Sequence, residues 1–433
     1  MTKCCGSNRI MCAVVLLCGI CHWTFSQSSD SSGLPKFWID IEIRPRAEFR
    51  DNYIFSANDT LLPDFHISQR NRITLNYIRG KTTMLAAFQE IHLWAKSGTP
   101  SSVANIGAYE LYVESRLNDN LSFRIGRQGV SLDNGRIFSD APWAQQGRSH
   151  EGLRMMYKNK GFSSDLFALA ARDYSRHFDP RYSPVSSHQY EALLIHHFKY
   201  RPNALMTITG LNSVDFFKNS SLSERYARFT TGGRIELEKG DFYGTLNGYY
   251  QFGKNAQLKQ IHAFYLQPEC RITAGKSVLR LGAEILSGDH PQINNRLTGS
   301  FDVLYGVAWK FMGNMNLFTR FPEDVSGKGL INPYLFAIHN FNPRLSVRSD
   351  IHLFFTQYPR LSQSSDNYLG FENDLSAKYK PSKNLEINYG FSYLIPPKRA
   401  GLLPKVRDVS KPALWSYLMV SYRFEVKTGK STS

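Results

Sequence analysis

From Phe37 to Arg50 the chain alternates between two kinds of residue. Phe37, Ile39, Ile41, Ile43, Pro45, Ala47 and Phe49 are apolar, while Asp40, Glu42, Arg44, Arg46, Glu48 and Arg50 between them are charged. A period of two sends alternate side chains to opposite faces of a strand. The segment predicts a strand well beyond the usual length of about 5–6 residues, with one greasy face and one carrying both signs of charge. Two environments suit it. Its charged face can meet water in a soluble sheet, or line a wet lumen in a barrel whose greasy face meets lipid.

The alternation recurs to the end of the chain. Ile73, Leu75 and Tyr77 oppose Arg72, Thr74 and Asn76; Tyr109, Leu111 and Val113 oppose Glu110, Tyr112 and Glu114. Later, Phe242, Leu246, Tyr250 and Phe252 oppose Tyr243, Thr245, Asn247 and Gln251, and Leu385 to Tyr393 repeats the pattern. Short polar turns at 118–120, 158–161, 238–241 and 380–383 join such segments in pairs, and longer links at 51–65, 173–187, 288–300 and 395–411 separate the pairs. Short turns at one end and long loops at the other predict an all-β fold, a single transmembrane antiparallel β-barrel of about 18 strands over residues 37–426. The region 300–340 carries the pattern poorly. Pro45 cannot donate to a ladder, which predicts a bulge or a strand end there. Val420, Tyr422 and Phe424 give the last strand an aromatic end, followed by a tail to Ser433.

The N-terminus narrows the choice of environment. Lys3 and Arg9 precede the apolar run Ile10–Cys21, and Thr24-Phe25-Ser26 offers small residues at a cleavage site, so residues 1–26 read as a secretory signal peptide. A lipoprotein signal acylated at Cys18 or Cys21 is the weaker alternative. Residues 27–36 read as a flexible lead-in and 427–433 as a C-terminal tail. Five of six cysteines fall in the signal segment, leaving Cys270 and no internal disulfide. No apolar run is long enough for a spanning helix, and mean hydropathy is −0.34 although 13% of residues are aromatic. Half-polar strands with aromatic girdles give that combination. Without residues 1–26 the chain keeps 50 basic against 36 acidic residues, a formal charge of +14. An exported basic protein predicts anionic partners such as lipopolysaccharide phosphates or an anionic polymer, and no recognition-helix pattern points to nucleic acid.

Enzymatic chemistry finds little support. Ser287, Asp289 and His290 sit in one short stretch, whereas triads assemble from distant segments. His196 and His197 point to opposite faces of a strand and cannot chelate one metal together. No HExxH, P-loop or paired-cysteine site occurs. We therefore expect no catalytic residue, metal or cofactor.

Several segments in order resemble the alginate-export family of bacterial outer-membrane barrels. They are Leu121–Gln128 ending in Gly-Arg-Gln; Trp143 followed by Gly147–Arg154; Thr231–Arg234 with Tyr249–Gly253; Ser287-Gly-Asp289 with Phe301–Tyr305; and Glu372–Leu375 with Tyr379–Leu385. His150 and Glu151 depart from the family's Phe and Asp. The resemblance implies an 18-stranded barrel in a Gram-negative outer membrane, reached by Sec export. It further implies an arginine-containing lumen that passes an acidic polysaccharide, with periplasmic export partners. Arginine stays charged and forks onto carboxylates, which offsets the cost of taking a uronate out of water. On this reading the substrate path comprises Arg72, Arg127, Gln128, Arg148, Arg154, Arg234 and Glu372. Phe123, Ile125 and Arg127 share one face, so an inward Arg127 requires a bulge. The alternatives are an anion-selective porin for small acidic solutes or oligosaccharides, and a plugged structural or adhesive barrel.

Overall fold

A computed structural model describes residues 35–53, 63–94, 105–171, 190–218, 224–319, 321–359, 367–398, 403 and 405–428. The expected signal peptide, most of the lead-in and most of the tail lie outside these residues.

Strand follows strand in chain order. The first nine are β1 (Lys36–Asp51), β2 (Asp64–Arg79), β3 (Thr82–Leu93), β4 (Asn105–Arg116), β5 (Leu121–Gln128), β6 (His150–Asn159), β7 (Phe162–Ala170), β8 (Ala192–Tyr200) and β9 (Met206–Lys218). Then come β10 (Arg225–Lys239), β11 (Phe242–Lys254), β12 (Gln260–Ala274), β13 (Ser277–Leu286) and the two-residue β14 (Leu297–Thr298). The last five are β15 (Leu330–Asn342), β16 (Leu345–Phe355), β17 (Tyr368–Tyr379), β18 (Leu385–Ile395) and β19 (Ala413–Thr428). Each ring strand pairs antiparallel with its neighbours, β13 passing directly to β15, and β19 returns to β1 from Phe37↔Thr428 to Asp51↔Leu414. The result is a closed 18-strand antiparallel barrel, with β14 outside the ring and parallel to β12. Closure satisfies the backbone of every strand on both edges, the condition for crossing hydrocarbon with strands.

The alternation seen in the sequence becomes an outside and an inside. Ile43, Ile73 and Leu281 are 41%, 47% and 58% exposed on the outer face, whereas Arg44 and Arg70 are 2% exposed on the inner one. Phe49, Phe65 and Phe216 stand outward near the long-link end, and Tyr157, Phe162, Phe242 and Tyr379 near the short-turn end. Aromatic rings at both ends of an apolar band suit the two membrane interfaces.

The structure departs from the sequence reading in four places. Pro45 neither ends β1 nor bulges it; it pairs with Gln69 of β2, and the β19 ladder skips Arg44 and Pro45 before resuming at Arg46↔Met419. β19 runs past Phe424 to Thr428, because Glu425–Thr428 pair with Phe37–Asp40. Among the described residues, the poorly patterned region after residue 300 contains no ring strand before Leu330. Finally, Tyr109 does not share the outer face with Leu111. Ala87 pairs with Glu110 and Phe88 with Ala108, which leaves Tyr109 as an extra residue, 6% exposed beside a 50% exposed Leu111. A bulge re-aims a side chain in this way.

Candidate functional site in the lumen

Two links fold into the barrel. Residues 129–149, between β5 and β6, and residues 287–329, between β13 and β15, pack against each other. The amide of Tyr305 donates to Ile137 O at 3.0 Å, that of Val307 to Gly135 O at 3.1 Å, and that of Ser139 to Tyr305 O at 3.2 Å. Ile137, Phe138, Phe301, Tyr305, Val307, Phe311 and Met312 are buried in one apolar cluster with residues of the inner wall. The barrel thus has a core, and much of it is loop.

A loop taken into an interior carries carbonyls that need donors. The charged face of β1 and β2 supplies them. Arg44 donates to Pro142 O and Ala144 O, both at 2.7 Å, and Arg70 donates to Ala144 O at 3.1 Å. Gln145 of the first loop bonds Ser68 Oγ at 2.9 Å. Arg46 pairs with Glu48 at 2.9 Å and lies 4.3 Å over the Trp143 ring. The mixed-sign strand that opens the chain is therefore, in large part, a cradle for the first inserted loop.

The second loop is tied to the stretch of wall formed by β15 and β17, a few strands from β1. Met315 N–H donates to Glu372 Oε1 at 2.9 Å, Asn314 N–H to Asp374 Oδ2 at 3.0 Å, and Asn332 Nδ2 to Phe311 O at 2.5 Å. Lys405 reaches Asp324 at 3.2 Å, and the Tyr53 hydroxyl donates to Met315 O. Arg136 of the first loop joins both systems, pairing with Glu284 on β13 at 2.5 Å and donating to Val307 O at 3.2 Å.

The expected path residues separate into three groups. Arg154 and Arg234 face inward on the wall. Arg154 bonds Asp165 at 3.1 Å; Arg234 bonds Thr245 at 2.9 Å, pairs with Glu236 at 2.9 Å and donates to Tyr243. Arg72 faces inward too, 3.7 Å over the Tyr109 ring and bonded to Gln89 at 2.7 Å. In a second group Arg148 and Glu372 hold the loops and Gln128 holds strand β6. Gln128 is buried and donates to Gly152 O at 3.2 Å. Arg148 donates to Tyr305 O and, at 3.2 Å, to Gly306 O; burial holds its guanidinium below the ordinary arginine range. Glu372 is fully buried under the second loop.

Arg127 stands alone in the third group and is a correction. It keeps the outward parity of Ile125, lies between Leu111 and Glu151 in the ladder, and bonds Glu151 at 2.5 Å and Ala108 O at 2.7 Å. The bulge needed to turn it inward falls one strand earlier, at Tyr109.

Three wall arginines went unremarked in the sequence: Arg124 with Glu114 at 2.6 Å, Arg280 with Glu269 at 2.7 Å, and Arg348 with Asp350 at 2.6 Å. The signal was present for two, since Arg124 sits between Phe123 and Ile125 and Arg280 between Leu279 and Leu281, whereas Arg348 has an apolar neighbour only in Val347. With Arg154 and Arg234 they lie in the short-turn half of the barrel, each fixed by a carboxylate.

Asn134, Arg136 and residues 306–311 help line cavities on both sides of the inserted loops. The one towards the long links has a volume of about 500 Å³ and includes Arg46, Glu48, Arg50, His66, Trp143 and Trp415. The one towards the short turns, about 260 Å³, is bounded by Arg234, Arg280, Arg348 and Lys310 with Glu269 as its one acid. The three arginines are paired. Lys310 is exposed on the second loop.

No protein-family model matches the chain, and no curated protein matches it by sequence. Solved structures do resemble it in fold. The outer membrane protein OpdK of Pseudomonas aeruginosa, solved with vanillate, superposes with a TM-score of 0.60 at 12% identity, over 90% of this chain and 99% of that one. OccK9 (OpdG) of the same organism gives 0.62 at 12% identity over 90% and 98%. OccD1 (OprD) gives 0.60 at 12% identity over 90% and 96%. The fold is thus that of an outer-membrane β-barrel.

Proposed function

We propose that this chain is a selective outer-membrane channel for small anionic solutes, a porin and not an enzyme. The observation that carries the reading is the cavity on the short-turn side, lined by Arg234, Arg280, Arg348 and Lys310, where three carboxylates fix the arginines and Lys310 leaves the excess positive. A solute carboxylate entering a narrow lumen loses water, and fixed guanidinium groups replace it at little reorganisation cost. The acids behind those arginines keep the binding weak enough for release, which conduction needs. Lipid and lipopolysaccharide phosphates are the natural surroundings for such a barrel.

The same geometry weighs against polysaccharide export. A polymer needs an unbroken passage, whereas here two loops with a shared apolar core and a buried ion pair occupy the lumen. Cavities of about 260 and 500 Å³ hold monomeric acids or short fragments. The fold neighbours are OprD and Occ porins, which favours this alternative over the alginate-export resemblance.

The test is conductance of the refolded chain in planar bilayers under a salt gradient, paired with uptake of aromatic monocarboxylates into liposomes. Anion-selective steps and uptake of small acids support the reading. Block by polyuronate combined with polyuronate transport would restore the exporter, and a folded barrel without conductance would favour the plugged one.

A further inference from the structure

Asp350 and His352 of β16 and Glu372 and Asp374 of β17 form two directly opposed inward pairs, Asp350↔Asp374 and His352↔Glu372. Like charges placed opposite each other on a sheet repel. One arginine relieves this, and only for one partner: Arg348 donates Nε to Asp350 Oδ1 at 2.6 Å and lies 2.6 Å from Oδ2 through Nη2. Glu372 and Asp374 are 0% and 1% exposed, and among the described residues neither has a lysine or arginine in ion-pair contact. Each accepts one loop amide through one oxygen. Glu372 Oε2 and Asp374 Oδ1 remain buried with no hydrogen-bond partner. Leaving charge so placed is costly unless a cation or protons compensate.

His352 indicates which. Asn332 donates its Nδ2 to Phe311 O at 2.5 Å, so its Oδ1 is the atom turned to His352 Nδ1, 3.2 Å away. An amide oxygen only accepts, hence Nδ1 carries the proton and Nε2 its lone pair. That lone pair faces Asp374 Oδ2 at 3.9 Å. A histidine whose far nitrogen is held by a fixed acceptor is oriented as metal-binding histidines are. The candidate donor atoms of Asp350, His352 and Asp374 all lie within 4.8 Å of one another. Two ligands about 2.1 Å from one ion stand at most about 4.2 Å apart, so small side-chain shifts close the set.

We propose that Asp350, His352 and Asp374 bind a divalent first-row transition ion in the barrel wall. One imidazole with carboxylates suits Zn²⁺ or Mn²⁺ better than Ca²⁺, which takes six or more oxygens. Ligand spacing along the chain gave no hint of the site, because the donors come from two strands that meet only in the sheet. The ion would sit against the anchor of the second loop, since Asp374 and Glu372 also hold the amides of Asn314 and Met315. Its presence does not depend on which solute passes.

The test uses the full mature chain refolded in detergent, stripped with EDTA and titrated calorimetrically with ZnCl₂ and MnCl₂ at neutral pH, with CaCl₂ as the control. We expect one Zn²⁺ or Mn²⁺ per barrel, removable by EDTA, and no comparable Ca²⁺ uptake. His352→Gln should abolish uptake, with folding checked by heat-modifiable gel migration. Asn332→Ala keeps all donors and should weaken binding roughly 10–100-fold. Should either variant fail to fold, Co²⁺ absorption of the wild-type barrel reads the donor set directly. No uptake by the stripped wild-type protein would overturn the proposal and leave shared protons as the compensation. Equal uptake by folded His352→Gln would overturn it too, by placing the ion elsewhere.

Discussion

Arg136 and Glu284 are 148 residues apart along the chain, yet Nε of one meets Oε1 of the other at 2.5 Å, with side chains 1% and 0% exposed. The pair connects the first inserted loop to β13, and the Tyr265 hydroxyl also donates to Glu284 Oε1 at 2.8 Å. Removing one partner of a buried pair strands the other charge, at a cost of about 3–5 kcal/mol. Glu284→Ala should therefore lower the unfolding temperature and, where the barrel still assembles, raise single-channel conductance by releasing the loop. Unchanged melting and conductance would show that the loop is held by its apolar contacts instead.

Selectivity should depend on the short-turn cavity. Lys310→Glu reverses the one cation on the inserted loop that faces the three paired arginines. We expect reversal potentials under a salt gradient to move toward cation preference, with barrel stability unchanged. Arg280→Gln should have a smaller effect on selectivity because it removes one unit of charge where Lys310→Glu changes two.

Arg127 provides the contrast. On the outer face it pairs with Glu151, so Arg127→Leu combined with Glu151→Leu should fold and leave ion selectivity as in the unaltered protein. A loss of anion preference in this double variant would place Arg127 on the solute path after all.

Acid should loosen the first loop. Burial alone would raise the Asp133 carboxyl, but its hydrogen bond to His197 at 3.0 Å, with that residue's charge, holds it below the ordinary carboxylate range. A lowered carboxyl contributes stability above its unfolded value of about 3.9, and that contribution is lost as pH falls through the folded value. Channel noise should rise in that acid window, and Asp133→Asn should remove this acid limb. A profile that Asp133→Asn leaves intact would assign the effect to another group.

Gly313→Ala tests the anchor of the second loop. Gly313 has φ +79°, and a Cβ there would lie 2.3 Å from Glu372 Oε1. The strained backbone alone costs on the order of 1–3 kcal/mol, and the clash adds to it. Limited proteolysis should then cut within residues 287–329 faster than in the unaltered barrel.

Much of the wall was legible in the sequence. The strict alternation of β1, the parity of Ile73 against Arg72 and the polar turns at 118–120 and 238–241 are local properties. They dictate which face meets lipid whatever the rest of the chain does, since a strand has only two faces. Parity also showed that an inward Arg127 would need a bulge. Tertiary structure decided what the inner face does. Whether Arg44 meets a solute or the carbonyl of Pro142 depends on where a loop nearly a hundred residues away comes to rest. Residues 300–329 have no period because a loop packed inside a barrel touches neighbours on every side. Tyr109 turned inward through one extra residue in a ladder, and Asp350, His352 and Asp374 converged because two strands pair in one register and not another. Alternation is written residue by residue along the chain, whereas closure, loop insertion and cross-strand convergence arise only once distant segments meet.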